Sequence, residues 1–460
     1  MKREHILAGL LVAFIAVFAY KTAKEAEQKP INPDKLKSEI LQRIKAPKVP
    51  EFTANITDFG GMGDSLFDNK AVFQKLFAMA EEKGGIHIVV PEGNYFVKGP
   101  LHLESNVCLD LQKGATLWFS SDPKDYLPVV KTSWEGTFLY NYSPLIYAYQ
   151  KENISIIGQG TINGNAAETF ATWRTLQNES QALSRDMNHT NVPVEERVFG
   201  EGHYLRPQFV QFFECKNLLM EGITVTNSPF WCVHVLKSTN ATFRSMKFTA
   251  RNINNDGIDP EYSSDILIED IDFDNGDDNV AIKAGRDHEG RAQNTPSENI
   301  IIRNCRLKGL HGVVIGSEMS GGVQNVFVEN CVASGYLKRG IYLKSNPDRG
   351  GYMRNIYVDS LALDEVEDCF YITSFYHGQG EGHVTDIHNV HISNITCKRA
   401  TAAGIVIQGF SEKPIHDIYF QNVMIDTAKI ALSLTNTTNI VMNNVCIGGV
   451  VSEAPTSAQP

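Results

Sequence analysis

The acidic side chains with the clearest catalytic pattern lie in residues 254–278. Asp256 stands in the run NNDGIDP, and Asp277 and Asp278 are adjacent in the run DNGDDNVAIKAG. Carboxylates this close together cannot all ionise freely, because like charges raise the pKa of at least one of them. The result is a carboxylic acid beside a carboxylate, which is the pair that cleavage of a glycosidic bond requires.

Two further runs place basic groups downstream at a similar spacing. LHGVVIGSE contains His311, and RGIYLKSN contains Lys344. The steps are 22 residues from Asp256 to Asp278, 33 from there to His311 and 33 on to Lys344. If each step is one coil of a solenoid, these groups lie at the same position on successive coils, that is, at one phase. With strands about 4.8 Å apart, they would then form a row of roughly 15 Å.

Other roles for these acidic residues remain open on the sequence alone. Asp-Gly and Asp-Asp are common turn residues, so a single aspartate such as Asp256 is often only structural. Clustered aspartates also bind calcium. Three aspartates, a histidine and a lysine in phase on successive coils favour a catalytic row over either alternative.

A loose internal repeat predicts the scaffold that carries this row. An Asn or Asp is followed by a short strand of alternating apolar residues, and from Asn217 onward the spacings are 23, 25, 34, 26, 30, 34, 28 and 22 residues. The repeat residues are Asn153, Asn217, Asn240, Asp265, Asn299, Asn325, Asn355, Asn389, Asp417 and Asn439. Short strands at this period predict an all-β fold, a right-handed single-stranded parallel β-helix.

Two other β folds fit the pattern less well. A β-propeller needs about 40 residues or more for each blade, and a sandwich needs hairpin turns of the Asn-Gly or Asp-Gly kind, which are scarce here.

Two segments differ from the repeat. Apolar residues at helical spacing predict a short N-terminal capping helix over residues 68–84, with Asp68 as its N-cap and Gly84-Gly85 as its end. Residues 163–204 are polar and lack strand character. An insertion of this length in a solenoid is typical of a functional loop or lid, although a passive surface loop also fits.

The N-terminus predicts export. Lys2 and Arg3 precede an apolar run over residues 6–20, the pattern of a signal peptide, and an uncleaved anchor is the alternative. We therefore predict a signal peptide or anchor over residues 1–24, a linker over 25–50, a β-helix catalytic domain over 51–450 and a tail over 451–460. The protein would be secreted or periplasmic, or membrane-anchored through the apolar run.

Composition excludes several functions. Acidic residues outnumber basic ones 53 to 42, giving a net charge of −11, and no basic block stands out. Nucleic-acid binding is therefore not expected. The sequence has no CxxC or HExxH motif, so neither of these zinc-binding patterns predicts a zinc site. Cys305 and Cys331 lie one coil apart, which suits stacked thiols and a disulfide equally. We expect a monomer.

The motifs resemble those of the polygalacturonase-type glycoside hydrolases, the pectin-degrading family 28. The similar runs are NNDG, GDD at 276–278, GLHG at 309–312 and YLK at 342–344, within a wider similarity over about residues 55–445. The resemblance implies a general acid at Asp277, and a water-activating pair at Asp256 and Asp278, with inversion at the anomeric carbon. His311 would tune the acid.

The resemblance also implies a substrate and its contacts. Lys344 would hold a carboxylate of a galacturonate-containing polysaccharide or oligosaccharide, and no metal or cofactor is implied. Tyr342 stands where the family has Arg, which removes a bidentate clamp. Arg339 or Arg349 would have to replace it, and the preference would shift towards chain ends or a decorated pectic chain.

Three rival functions remain. A rhamnogalacturonan-type hydrolase would belong to the same family, a pectate lyase would use calcium to form an unsaturated product, and an adhesive β-helix would release no sugar.

Overall fold

A computed structural model of the chain describes residues 32–377, 380 and 382–452. The predicted signal segment and most of the predicted tail lie outside the described residues. Residues 41–460 form a compact unit, the second of two along the chain. The α-helices are α1 (Pro33–Arg43), α2 (Lys70–Lys83), α3 (Asn178–His189) and α4 (Asp287–Gln293). Helix α1 lies in the predicted linker.

The second unit holds all the described strands. In chain order, β1 to β29 are Thr53–Asn55, Ile86–Val90, Gly93–Val97, Leu101–His102, Val107–Leu111, Ala115–Phe119, Val130–Trp134, Thr137–Asn141, Ile146–Tyr149, Glu152–Gly158, Thr161–Asn163, Val210–Phe213, Lys216–Glu221, Thr224–Thr226, Val233–Leu236, Thr239–Arg244, Lys247–Thr249, Ile258–Glu261, Ser264–Glu269, Asp278–Ile282, Ser297–Arg303, Arg306–Leu307, His311–Ile315, Val323–Lys344, Tyr352–Thr373, Asp386–Gln408, Ile415–Thr435, Thr437–Ile447 and Val450–Ser452.

The strands pair in parallel from one coil to the next. One face runs through β10, β13, β16, β19, β21 and β24, and another through β9, β12, β15, β18, β20 and β23. The predicted right-handed parallel β-helix is confirmed. Antiparallel pairing among the described strands is confined to β7 with β8 and β28 with β29. Strand β29 runs two residues into the predicted tail.

The repeated Asn and Asp residues turn the chain at the start of each coil. All ten have positive φ, for example 57° at Asn217 and 58° at Asn240, a conformation that Asn and Asp tolerate better than most residues. Their amides also bond along the stack: Asn240 Nδ2 donates to Asn217 Oδ1 at 2.6 Å, and Asn217 Nδ2 to Asn153 Oδ1 at 2.8 Å. The repeat in the sequence is therefore a ladder of left-handed turns.

Inward residues of successive coils stack to form the core. Strand registry places one apolar side chain directly above the next, each at most 1% exposed. One such stack contains Ile154, Leu218, Ala241, Ile266, Ile300, Val326, Ile356, Val390, Ile418 and Ile440. Burial of each large aliphatic side chain stabilises by about 1.5–3 kcal/mol, so this column stabilises the coils that carry the site residues.

Helix α2 covers the first coils, as predicted for a cap. Its buried face includes Phe73, Leu76 and Phe77, and it packs on β2 and β4. The predicted N-cap is wrong by one residue, since Asn69 occupies that position. Asp68 Oδ1 nevertheless accepts a hydrogen bond from the Lys70 amide at 3.0 Å, because an Asp side chain readily bonds the backbone two residues on.

The sequence left two points open: whether Cys305 and Cys331 form a disulfide, and whether a helix could cross a membrane. Cys305 and Cys331 are both buried and both free thiols. Among the helices that the structure describes, none combines the length and apolar character needed to cross a membrane.

Candidate active site

Strand pairing brings most of the predicted row together. Asp278 begins β20 and lies opposite His311, which begins β23. Ile258 pairs with Val280, the same 22-residue offset that separates Asp256 from Asp278. The prediction that Lys344 shares this phase is wrong, because the next partner of His311 is Arg339. Coil length is not constant, and Lys344 lies five residues further along β24.

Asp278 is the centre of the site. Its side chain is 2% exposed, with Oδ1 2.6 Å from His311 Nδ1 and Oδ2 3.0 Å from Lys344 Nζ. Burial alone would raise the pKa of this carboxyl, but the charges of Lys344 and His311 outweigh it and hold the pKa far below its ordinary value. Asp278 is therefore an ionised, buried carboxylate.

His311 touches both adjacent aspartates. Its Nδ1 lies 3.7 Å from Asp277 Oδ1 as well as against Asp278. Burial lowers the pKa of the imidazole, and the hydrogen bonds to the two carboxylates overcome this effect, so that the pKa is raised above 6.5. The ring of Tyr342 packs edge-on against the imidazole at 5.4 Å and fixes its orientation.

A second carboxylate pair lies beside the first. Asp256 and Asp259 are 5% and 0% exposed, and the ammonium of Lys283 lies 3.7 Å from each. Burial raises the pKa of Asp256 well above its ordinary value, and the neighbouring charges of Asp259 and Asp277 raise it further. Burial likewise raises the pKa of Asp259. One lysine therefore faces two acids, and these acids hold a proton more readily than Asp278 does.

Asp277 is the most open of the three predicted aspartates. Its side chain is 20% exposed, and Asn254 Nδ2 donates to its Oδ2 at 3.1 Å. Asp277 immediately precedes β20, and its side chain is more exposed than that of Asp278. A carboxyl that is held at one oxygen and partly open suits proton exchange with a leaving group.

Behind Asn254 lies a buried arginine that links the site to the insertion. Arg206 is fully buried; it donates to Asn254 Oδ1 at 2.7 Å and to Gln177 Oε1 at 3.0 Å. Gln177 belongs to the insertion over residues 163–204, which contains the 3₁₀ helices Phe170–Thr175 and Val194–Glu196 as well as α3. The insertion is thus joined to Asp277 by a chain of hydrogen bonds.

Lys344 lies in an aromatic and acidic setting. Its Nζ is 5.2 Å from the ring centroids of both Tyr342 and Tyr376. Burial lowers the pKa of the ammonium, but Asp278 and the other nearby acidic groups raise it well above 10.5. Lys344 is therefore a fixed positive charge beside Asp278, and Tyr342 supplies a ring face where the resemblance expects a guanidinium.

Arg339 and Arg349, the other two residues expected to contact substrate, form ion pairs within the protein. Arg339 lies 2.9 Å from Glu367 and 3.0 Å from Asp368. Arg349 is 5% exposed, pairs with Asp287 and donates to the Ser317 carbonyl at 2.8 Å. Their binding to substrate stays a prediction, and their visible role is to hold neighbouring acids in place.

Glu318 completes the buried charges around Lys283. It lies 3.7 Å from the ammonium of that lysine and 2.8 Å from Arg286 Nη2. These cations pull its pKa far below the ordinary value despite complete burial. Lys283 is thus held by a permanent carboxylate on one side and faces Asp256 and Asp259 on the other.

The same ligand set could in principle hold a cation. The donor atoms of Asp277, Asp278 and His311 lie within 4.8 Å of one another. Calcium needs six to eight oxygen ligands, whereas here Lys344 Nζ lies 3.0 Å from Asp278 and already supplies the positive charge. The residues do not fit a calcium ion, and no step below requires one.

Sequence reasoning missed three of these residues as members of the site. Asp259 stands in the run NNDGIDP, and Lys283 follows the GDD run in VAIKAG, so both lie within recognised motifs. Arg206 gave no comparable signal, since it lies 48 residues from the Asn254 side chain that it contacts.

A β-helix with a buried, ion-paired carboxylate beside further carboxyl groups suits a carbohydrate-cleaving enzyme. Residues 130–447 match the model of Glycosyl hydrolases family 28. The chain belongs to glycoside hydrolase family 28.

Individual relatives agree with this assignment. A probable polygalacturonase of Vitis vinifera is 28% identical over 412 residues, covering 85% of this chain and 78% of that protein. An exo-poly-alpha-D-galacturonosidase of Dickeya chrysanthemi is 26% identical over 443 residues, 86% and 71% of the two chains. The crystal structure of a hyperthermoactive exopolygalacturonase from Thermotoga maritima superposes with a TM-score of 0.86 at 38% identity, covering 92% of this chain and 97% of that one.

Proposed function

We propose that the enzyme hydrolyses α-galacturonosidic linkages at the ends of pectic polysaccharide or oligosaccharide chains, by a single displacement with inversion. Hydrolysis of galacturonosidic linkages is the activity of the chain; the calcium lyase and rhamnogalacturonan alternatives are not favoured. The observation that carries the mechanism is the contrast between Asp278, which lies 2.6 Å from His311 and 3.0 Å from Lys344 and has a lowered pKa, and Asp256, which shares Lys283 with Asp259 at 3.7 Å and has a raised pKa.

Asp278 is the base in this proposal. An inverting enzyme needs a carboxylate that takes a proton from the attacking water as the glycosidic bond breaks. The pairing of Asp278 with Lys344 and His311 keeps it in that form. Asp256 is the second member of the water-activating pair. Because its pKa is raised, we assign it the orientation of the water, with Asp278 taking the proton.

Asp277 is the general acid. It is the most exposed of the three aspartates, so a leaving-group oxygen can reach it. His311 lies 3.7 Å from its carboxyl and, when protonated, donates to Asp278 rather than competing for the leaving group. In this assignment His311 orients the two aspartates and favours the ionised form of Asp278. It does not react with the sugar.

Lys344 is proposed to contact a carboxylate of the substrate. An ammonium carries three N–H donors, so its bond to Asp278 leaves donors for a galacturonate. A substrate carboxylate at this position would lie beside the base. The local positive charge is needed, because the net charge of −11 repels a polyanion from the protein as a whole.

Action at chain ends rests on the insertion. Glu135 accepts from Gln181 at 2.9 Å and pairs with Arg185 at 3.0 Å, both on α3. Together with the bond between Arg206 and Gln177, these contacts hold the insertion against the coils that carry Asp256 and Asp277. A wall at this place would leave room for a terminal sugar but not for a continuous chain. The Thermotoga relative is an exopolygalacturonase, and the Dickeya relative is an exo-poly-alpha-D-galacturonosidase.

The test is a time course of products from polygalacturonate. Monomeric galacturonate from the first time point, with no early oligomers of intermediate length, supports chain-end hydrolysis. Early oligomers of intermediate length would overturn chain-end action while leaving hydrolysis intact. An ultraviolet-absorbing unsaturated product would overturn hydrolysis itself.

Export is proposed from the N-terminal sequence alone. A charged start and an apolar run over residues 6–20 are typical of a signal peptide. N-terminal sequencing of protein recovered outside the cytoplasm tests this. A mature chain that starts near residue 20 supports cleavage, and a chain that retains residue 1 in the membrane fraction supports the anchor.

A further inference from the structure

A second cluster of metal-ligating side chains lies on later coils, away from the catalytic row. Asp386 and His388 stand at the start of β26, and His416 lies beside His388 on β27. Their donor atoms lie within 4.8 Å of one another. The side chains of Asp386, His388 and His416 are 37%, 22% and 36% exposed, so an ion can reach them from solvent.

The separations match those between ligands of one ion. His388 Nδ1 lies 3.2 Å from Asp386 Oδ1, and His416 Nε2 lies 3.4 Å from the same oxygen. Zinc bonds of about 2.0–2.1 Å in a tetrahedron place neighbouring ligand atoms about 3.3 Å apart. The two imidazole rings stack in parallel at 5.0 Å, and rotation about their soft χ2 torsions would aim both nitrogens at one point.

His416 is held in the form that a ligand requires. Its Nδ1 lies 2.8 Å from Asp417 Oδ2, and Asn439 in turn donates to Asp417. A carboxylate on one ring nitrogen places the proton there and leaves the lone pair of the other nitrogen free. Metal-ligating histidines almost always have such a partner on their second nitrogen. In this cluster, Nδ1 carries that partner, Asp417, and Nε2 is the ligating nitrogen, which faces Asp386.

His388 gives an independent indication that an ion binds here. Its buried Nδ1 atom faces Asp386 Oδ1 at 3.2 Å without the alignment of a hydrogen bond, and no other described residue bonds it. Buried polar atoms are normally satisfied, and an ion between His388 and Asp386 would satisfy this one. The neighbouring cation Lys413 is turned to the backbone, since its Nζ donates to the Val384 carbonyl at 2.9 Å.

We propose that Asp386, His388 and His416 bind a divalent transition ion of the zinc type, which joins two adjacent coils of the β-helix. Two imidazoles and one carboxylate suit zinc rather than calcium or magnesium, which prefer oxygen ligands. The remaining coordination position faces solvent and takes water. The site is independent of the proposed hydrolysis, and its effect is on stability.

The experiment titrates Zn²⁺ into the full chain, produced without a histidine tag and stripped with chelator. We expect one equivalent to bind and the melting temperature to rise with zinc concentration, because a ligand of the folded state stabilises it. His416→Ala should abolish the rise, and Asp417→Asn should weaken binding by about 10–100-fold. Co²⁺ bound in place of zinc should give visible absorption that His416→Ala removes.

His311→Ala is the matched control, because it removes the histidine of the other candidate ligand group. Retention of the zinc effect in His311→Ala, with its loss in His416→Ala, supports the proposal. Loss of the effect in His311→Ala alone would assign zinc to the catalytic row and overturn the proposal. Absence of binding in the unmodified protein would overturn it equally.

Discussion

The ammonium of Lys344 lies 3.0 Å from Oδ2 of Asp278, 66 residues earlier in the chain. The two groups are almost fully buried, with side chains 9% and 2% exposed. This ion pair keeps a carboxylate ionised in a place where burial alone would protonate it. Under the proposed roles of Lys344 and Asp278, this pair links substrate binding to the charge of the base, and the first prediction concerns its removal.

Lys344→Ala should act on binding and on the pH profile together. We expect KM for galacturonate oligomers to rise by about tenfold to a hundredfold, the equivalent of one charged hydrogen bond, with a smaller rise for neutral analogues. The acid limb of kcat/KM should move to higher pH, because Asp278 loses the cation that lowers its pKa. Lys338→Ala, at an exposed position on the same strand, is the control. Equal losses on acidic and neutral oligomers would contradict the assignment.

Asp277→Asn should abolish hydrolysis and leave the fold intact, because it removes a proton donor and keeps the side-chain shape. A positioned acid contributes about 10²–10⁴-fold to the rate. Initial rates on polygalacturonate, with circular dichroism as the test of folding, measure the loss. Asp274→Asn, which removes a surface carboxylate paired with Arg251, should keep most of the activity. A loss of less than about tenfold in Asp277→Asn would refute the role of acid.

His311 should make stability depend on pH. Because its folded pKa is raised above 6.5, its contribution to the free energy of unfolding is full below about pH 6.5 and is lost as pH rises through the folded pKa. His311→Gln should therefore cost more unfolding free energy at about pH 5.5 than at about pH 9. Urea denaturation at the two pH values measures this. A cost that is the same at both, or larger at the higher pH, would show that the imidazole is not stabilised in its charged form.

Chelator should leave the initial rate of hydrolysis unchanged. Lys344 and Lys283 supply the positive charge of the catalytic row, and the proposed zinc cluster lies on later coils. Rates before and after treatment with EDTA, at a temperature where the stripped protein is folded, test this. Inhibition that calcium reverses would restore the calcium-dependent alternative.

The sequence predicts the fold and the centre of the site because both depend on local repeats. Asn217 and its equivalents mark left-handed turns that recur on every coil, and this regularity is visible without coordinates. Asp278 and His311 face each other because they begin successive strands. The predicted phase of Lys344 is wrong. The residue that pairs with His311 on the next coil is Arg339, 28 residues later, and Lys344 is 33 residues later.

The rest of the site depends on contacts that no spacing rule encodes. Arg206 reaches Asn254 and Gln177 from outside the repeating strands. Lys283 follows the GDD run in the sequence, but its position between Asp256 and Asp259 follows from side-chain packing. Such buried charge networks are set by three-dimensional neighbours, and the pattern of apolar residues that defines the coils carries no information about them.

The configuration of the first product tests the central claim most directly. If Asp278 activates water while Asp277 protonates the leaving oxygen, an α-galacturonosidic bond yields the β anomer first. Proton NMR of a short galacturonate oligomer, recorded within the first turnovers before mutarotation, distinguishes the anomers. The account predicts a β signal that appears first and then equilibrates with α. An initial α signal would mean retention through a covalent intermediate and would contradict the roles given to Asp277 and Asp278.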